Sequence, residues 1–366
     1  MKNLCRLSGL FVFVMVLLTG CGFKDIDKRA FVVGIGIDKT EQNQEGYEVT
    51  LKVAFPSSGS EELGDQFELL SSKGSTIAEA IQLIKAKVSN ELDFGHMKVI
   101  VLGEKVLSKD IGKTMDWFTR RRDIQQIALI TIGKPDAKTI LSIEPKGERL
   151  PSNKLFMFFD EAGTESPYVT TKFLYNLRRD LEERGIDGYL PIVQAEKDNF
   201  SITTMSVFKQ GVDPLHLTKK ETKLFNMLKK GYDKESIKVN AKDEFFMLAV
   251  DSLNTEYQIK QKQNQKISIE VIVDISGVIE ESKVELKEGK LDKYNKLAEK
   301  VLTKDINKLL AKFQETKMDP VGFGLRYRAT RSGTENEKWK AWKSLYPEAG
   351  INVRVNADIT GTGIIE

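Results

Sequence analysis

The sequence predicts an α/β (α+β) protein of several domains, with mixed β-sheets flanked by helices. Three observations carry this expectation. Strand-like and helical runs alternate between residues 97 and 209, an early hairpin makes the sheets mixed, and a long helical stretch at 290–316 precedes a closing strand. A chain of 366 residues has room for two or three domains and their cores.

The elements follow in order. Residues 30–37 are apolar on both faces of a strand, and 47–55 alternate Tyr47, Val49, Leu51, Val53 and Phe55 with Glu48, Thr50 and Lys52, the period of a half-buried strand. Gly46 and its polar neighbours turn the chain between them. After a polar stretch, Ser75 or Thr76 caps a helix that places Ile77, Ala80, Ile81, Ile84 and Val88 on one face. A strand at 97–102, a helix at 104–121 and a strand at 126–132 come next, and Gly133-Lys134-Pro135 breaks the pattern. A helix at 167–183 ends at Gly185 as its C-terminal cap.

Strands at 189–195 and 201–209 lead to Asp213-Pro214, read as a domain boundary. Thr218 and Glu221 have the spacing of a capping box, and the helix they open stops at Gly231. Long strands at 245–259 and 266–279 follow. In the helix at 290–316, Tyr294, Leu297, Val301, Leu302, Leu309, Leu310 and Phe313 form the apolar side, and Asp319-Pro320 stops it. Ile351, Val353, Val355 and Ile359 mark the last strand. The expected division is therefore 30–212, an N-terminal α/β region of one or two domains, and 213–366, a C-terminal α/β domain.

The N-terminus reads as a targeting segment. Lys2 and Arg6 precede an apolar-to-small run at 7–18, which ends in Leu18-Thr19-Gly20-Cys21. The run has twelve residues, whereas a membrane-spanning helix needs about 20. Its ending resembles the bacterial lipobox, so residues 1–20 are expected to be a lipoprotein-type signal peptide, cleaved after Gly20, with lipid attached to Cys21. Two acyl chains on one cysteine hold a protein stably to a membrane that it does not span. Residues 21–29 are the lipidated cysteine and a short tether. The eight residues at 22–29 reach at most ~29 Å, which keeps the folded body near the headgroups.

Composition removes whole classes of chemistry. Cys5 and Cys21 are the two cysteines and both are N-terminal, so the folded body has no thiol for a disulfide, a thiolate zinc site or a nucleophile. The two histidines, His96 and His216, fall in different domains and read as turn residues. Scattered carboxylates such as Glu61-Glu62 and Glu182-Glu183 read as solvated surface. Gly34-Ile35-Gly36 lacks the following helix that a dinucleotide site needs, so backbone packing is its expected role. A formal charge of +3, evenly spread, gives no nucleic-acid surface. No catalytic residue, metal or cofactor is expected.

Two features stand out. Lys293, Lys296, Lys300, Lys304, Lys308 and Lys312 recur every three or four residues opposite the apolar side of the long helix. A solvated face laced with ion pairs is their ordinary role, and contact with anionic headgroups or an acidic partner loop is the sharper one. Trp339 and Trp342 share a helical face with Leu345 and Tyr346, for core packing or, as the alternative, an aromatic docking face.

The chain resembles the C subunits of the spore germinant receptors of endospore-forming Firmicutes, the Ger(x)C lipoproteins. The resemblance rests on Leu18-Thr-Gly-Cys21, the run from Asp27 to Asp38, Phe94-Gly-His-Met-Lys-Val-Ile-Val-Leu-Gly-Glu104, Asp319-Pro-Val-Gly-Phe-Gly324, and the Trp339–Trp342 segment running into Leu345-Tyr-Pro347. Gly22-Phe23 stands where the family commonly has a Trp-Asp pair. The resemblance implies three α/β domains and a noncatalytic lipid-anchored subunit on the outer surface of the spore inner membrane. It also implies membrane-embedded A and B receptor subunits as partners, with no direct nutrient binding by this chain. The rival expectations are a solute-binding lipoprotein of a transporter, which requires a deep cleft, and a surface hydrolase.

Overall fold

The computed structural model describes residues 26–40, 46–55, 67–109, 111–144, 155–159, 166–230, 235–241, 244–261, 266–283 and 285–362. The signal segment 1–20, Cys21 and residues 22–25 lie outside the described residues. Among the described residues the strands form two sheets, one of nine strands and one of four.

In the first sheet β1 (Arg29–Lys39) runs antiparallel to β2 (Tyr47–Ala54), and β2 antiparallel to β3 (Phe67–Gly74) at the edge. On its other side β1 lies parallel to the short β4 (Glu91–Asp93) and to β5 (Val99–Gly103). Then β6 (Leu129–Lys134) and β7 (Gly188–Glu196) follow in parallel, and β8 (Asn199–Lys209) and β9 (Val212–Leu217) close the sheet antiparallel. The mixed sheet expected from the early hairpin is thus present.

Asp213 and Pro214 lie inside β9, so a boundary at 213 would cut a strand from this sheet. Proline is tolerated there because β9 is an edge strand, where its missing N–H breaks no ladder. The polar stretch read before Thr76 contains β3, whose Ser71, Ser72 and Lys73 hide the period of two. Among the described residues the strands make two sheets, which do not by themselves mark out the three α/β domains that the resemblance implies.

Helices cover both faces of the first sheet. On one side lie α1 (Ile77–Lys85), capped by Thr76 Oγ1 on the Glu79 amide at 3.1 Å, and α2 (Lys105–Lys109), α3 (Ile111–Arg120) and α5 (Leu174–Glu182). The single helix expected at 104–121 is therefore two. The helix expected from 167 begins at Leu174, because the preceding segment stays extended against β6: the Ile130 amide donates to Lys172 O at 2.9 Å. On the opposite face α4 (Ala137–Ser142) packs with Leu155 and Phe159.

Gly34 and Gly36 make α4 possible. A Cβ on Gly36 would sit 3.1 Å from both Ala137 Cβ and a Leu141 methyl. Asp38 then accepts the Ala137 and Lys138 amides at 2.9 and 3.0 Å and so caps that helix. Because α4 lies over β2 as well, Lys52 is buried, not solvent-facing as the alternation implied. Its ammonium donates to Leu141 O at 3.1 Å, and burial lowers its pKa.

The second region starts with α6 (Lys219–Lys230), opened by the reciprocal Thr218–Glu221 capping box. The antiparallel strands β10 (Glu235–Ala241), β11 (Glu244–Lys260) and β12 (Ser268–Ser282) follow. Next come α7 (Leu291–Glu315), α8 (Phe323–Thr330) and α9 (Glu335–Leu345), and β13 (Gly350–Gly361) returns parallel to β12. Parallel strands need such a crossover.

One face of this sheet carries Ile269, Val271, Val273 and Ile275, buried against α7. The other carries Asp251, Asn254, Glu256, Asp274, Asn356 and Asp358 toward solvent. Tyr189, Met205, Val207 and Leu217 of the first sheet belong to the same apolar core as Phe225 and Phe313 of the second region. Each such side chain taken from water contributes roughly 1.5–3 kcal/mol, so the two regions share a core.

Candidate functional site

The shared core is closed by a polar joint, and its centre is Asp319. Residues 319–324 follow α7, and the Asp319 carboxylate takes the place of a cap for α8. Its Oδ1 accepts the amides of Gly322 and Phe323 at 2.9 and 3.0 Å, and its Oδ2 that of Gly324 at 2.7 Å. A negative group at a helix N-terminus is favoured by the exposed amides and the helix dipole. Gly322 has φ +90°, which a side chain would strain.

The joint is completed by the first region. Asp187, just before β7, accepts the Asp319 amide at 2.7 Å, while its own amide donates to Asp319 O at 3.0 Å. The Leu325 amide donates to Gly185 O at 3.0 Å. Here two glycines touch: a Cβ on Gly185, at φ +97°, would fall 2.5 Å from Gly324 C, and one on Gly324 would fall 2.5 Å from Trp342 Nε1. Gly185 is therefore a docking residue; the Ccap of α5 is Glu183.

Around this centre, Trp342 stacks on Tyr346 at 5.2 Å between ring centroids, and the Tyr346 hydroxyl donates to Met318 O at 2.9 Å. Trp342 is thus core, as the ordinary reading of the pair expects, while Trp339 is half-buried and lines a neighbouring cleft of about 330 Å³. Arg328 of α8 reaches Glu183 and the carbonyl of Arg184, and Lys209 donates to Lys317 O at 3.3 Å.

A second buried group lies beside it. Lys172 and Asp180 form an ion pair with side chains 2% and 0% exposed, and the Lys172 ammonium stands 3.6 Å from the Tyr189 ring centroid. Thr170 donates to Asn226 Oδ1 at 2.5 Å, and Asn226 Nδ2 to Pro167 O at 2.9 Å, so α6 is bonded to the first region. Lys229 donates to Val321 O at 3.2 Å.

Burial governs these charges. Desolvation pushes Asp319 up to about 7 against the pull of its three amides, and it also raises Asp187. Lys172 is pushed down to about 8 in spite of Asp180, and burial lowers Lys229 too. What the geometry can do is hold two regions in one relative position, since the bonds at Asp187, Gly185, Arg328 and Asn226 cross between them.

The remaining sequence candidates lie elsewhere. Cys21, the expected lipid site, is outside the described residues. His96 sits in a turn with its ring edge-on to Phe31 at 4.9 Å. His216, in β9, meets Glu104 at the C-terminal end of β5, and burial lowers its pKa. Gly103 leaves room for the Asp38 carboxylate, 2.1 Å from where its Cβ would be. Of the lysine stripe, Lys293 pairs with Glu244 and Lys312 with Glu221. Among the described residues no group of three or more His, Cys, Asp or Glu could hold a metal ion. Sequence reasoning missed Lys172, Asp180 and Asp187, which carry no pattern that sets them apart from surface charges. It took Asp319 as a helix stop and a family motif, not as the group that the joint is built on.

Fold and joint together define a two-sheet α+β protein whose distinctive glycines and aspartates fasten one part of the chain to another. The model described as the spore germination protein N-terminal domain matches residues 22–195, and the one described as spore germination B3/GerAC-like, C-terminal, matches 203–363. The chain belongs to this GerAC spore germination family, the family its motifs resemble.

Spore germination protein KC of Bacillus subtilis is 25% identical over 398 residues, covering 100% of this chain and 97% of that protein. Spore germination protein B3 of Bacillus subtilis is 23% identical over 383 residues, covering 100% of each. The crystal structure of the GerBC protein matches with a TM-score of 0.54 at 18% identity, over 92% of this chain and 100% of that one. The fold is therefore that of a known germination protein. A role as a germinant receptor subunit, and not as a transporter's solute-binding protein, is what these relationships support.

Proposed function

We propose that this protein is the noncatalytic, lipid-anchored C subunit of a nutrient germinant receptor, required for spores to germinate in response to small nutrients. The observation that carries the reading is the pair of germination family models laid end to end over residues 22–195 and 203–363, beginning directly after Cys21. In this reading the signal peptide is cleaved after Gly20 and Cys21 carries the lipid. The body sits on the outer surface of the spore inner membrane, beside membrane-embedded A and B subunits, and recognition of the nutrient is left to them.

Two further observations support it. No helix among the described residues is long and apolar enough to cross a membrane, which agrees with attachment through a lipid. The motif residues Gly36, Asp38, Gly103 and Asp319 to Gly324 serve packing and capping, so they specify a rigid body more than a reaction centre.

The test is Cys21→Ala in spores, with membrane fractionation and the nutrient response followed together. Loss of the protein from the membrane and a fall in germination, with the partner subunits still present, is the expected result. Retention at the membrane with full activity would overturn the anchoring part.

A further inference from the structure

The N-terminal half of α7 forms one wall of a groove of about 920 Å³, larger than the cleft of about 330 Å³ at the joint. The other walls are the start of α6, the end of β10 with the start of β11, and the segment before α7. Lysines line it: Lys220, Lys287, Lys290, Lys293, Lys300 and Lys304, against the acids Glu244, Glu285 and Asp305. Two of these acids are engaged, Glu244 by Lys293 and Asp305 by Lys220 at 2.5 Å. Lys300 and Lys304, one turn apart, are exposed and have no ion-pair partner among the described residues. Beneath them Leu297 and Val301, also one turn apart, are only partly buried.

We propose that this groove docks an acidic segment of a partner protein, one that carries aliphatic side chains among its carboxylates. Charge complementarity argues for the acid: the free lysines leave an excess of positive charge that an anionic chain would neutralise. The half-buried Leu297 and Val301 argue for the aliphatic groups, since a recessed apolar strip between charges is the usual form of a groove that takes an amphipathic segment. Shape argues against a bilayer. A flat headgroup surface meets protruding lysines and cannot reach a recessed floor, and Glu244, Glu285 and Asp305 in the groove would face its anionic charge.

The test uses the full chain in detergent and a fluorescent amphipathic peptide of about 18 residues built from Glu and Leu, long enough for several helical turns. Lys300→Glu with Lys304→Glu is expected to weaken binding at least about tenfold, by juxtaposing like charges. Lys308→Glu with Lys340→Glu makes the same change in net charge at exposed positions outside the groove and should change binding by less than about twofold. A peptide with Ser in place of Leu should bind about fivefold more weakly.

Equal losses in the two double variants, or none in the first, would overturn the proposal. So would equal binding of the Ser peptide. With the chain anchored in phosphatidylglycerol vesicles, Lys300 and Lys304 should stay open to amine acylation; their protection there would assign the groove to the membrane instead. Because the assay reads binding by the isolated chain, its failure is distinct from any failure of the receptor reading.

Discussion

At its C-terminal end α7 leads into a joint where Asp319 is buried and meets three amides, whereas along its N-terminal half Lys300 and Lys304 stand in solvent beside a groove. The helix thus carries lysines left available along its length and ends just before a carboxylate that is fully engaged. The difference teaches where each can matter. A buried charge without its partners costs several kcal/mol, so the joint sets stability and the relative position of the two regions. An exposed lysine contributes little to folding and is free to serve contact with another molecule.

The strongest way to break this contrast is Asp319→Ala. It leaves the Gly322, Phe323 and Gly324 amides without their acceptor and is expected to destabilise the protein by about 3 kcal/mol or more, read from denaturant unfolding. A loss below about 1 kcal/mol would show that water replaces the carboxylate and that the joint is not closed. Gly324→Ala comes next: its methyl group meets Trp342 Nε1 and the Gly185 backbone, and the overpacking should cost about 1–3 kcal/mol by the same measurement.

The pH dependence sharpens the picture. Asp319 is raised from 3.8 to about 7 in the folded protein. Between those values the folded state holds a proton that the unfolded state has lost, so this group's contribution to stability falls as pH rises through that window. The stability of the native protein relative to Asp319→Asn should therefore be greatest near pH 4 and should narrow toward pH 7. A difference that widens instead would mean that the three amides outweigh burial and keep the carboxylate ionised. The smallest effect is expected for Lys300→Glu with Lys304→Glu, whose unfolding free energy should stay within about 0.5 kcal/mol of the native value. A larger loss would show that these lysines belong to the fold.

Much of the architecture was legible from local pattern. The strand β2, the apolar face of α7, the Thr76 cap and the Thr218–Glu221 capping box all lie where periodicity and capping chemistry place them. The joint was legible only as a family motif. Asp319-Pro320 is a sound helix stop, but nothing in its neighbourhood says that Asp187 or Gly185 will meet it, because those partners are far away along the chain.

What the sequence determined by itself is whatever depends on neighbours within a few residues: strand and helix periods, caps, and the order of charge, apolar run and cysteine at the N-terminus. Only the tertiary structure decided that β3 would complete the sheet edge, that Lys52 would be buried beneath α4, and that Asp213-Pro214 would fall inside β9. It likewise decided that Gly185 and Gly324 would touch. The physical reason is the same in each case. Burial and close backbone approach are properties of surfaces brought together from distant parts of the chain, and a local pattern records which face is apolar without recording what will cover it.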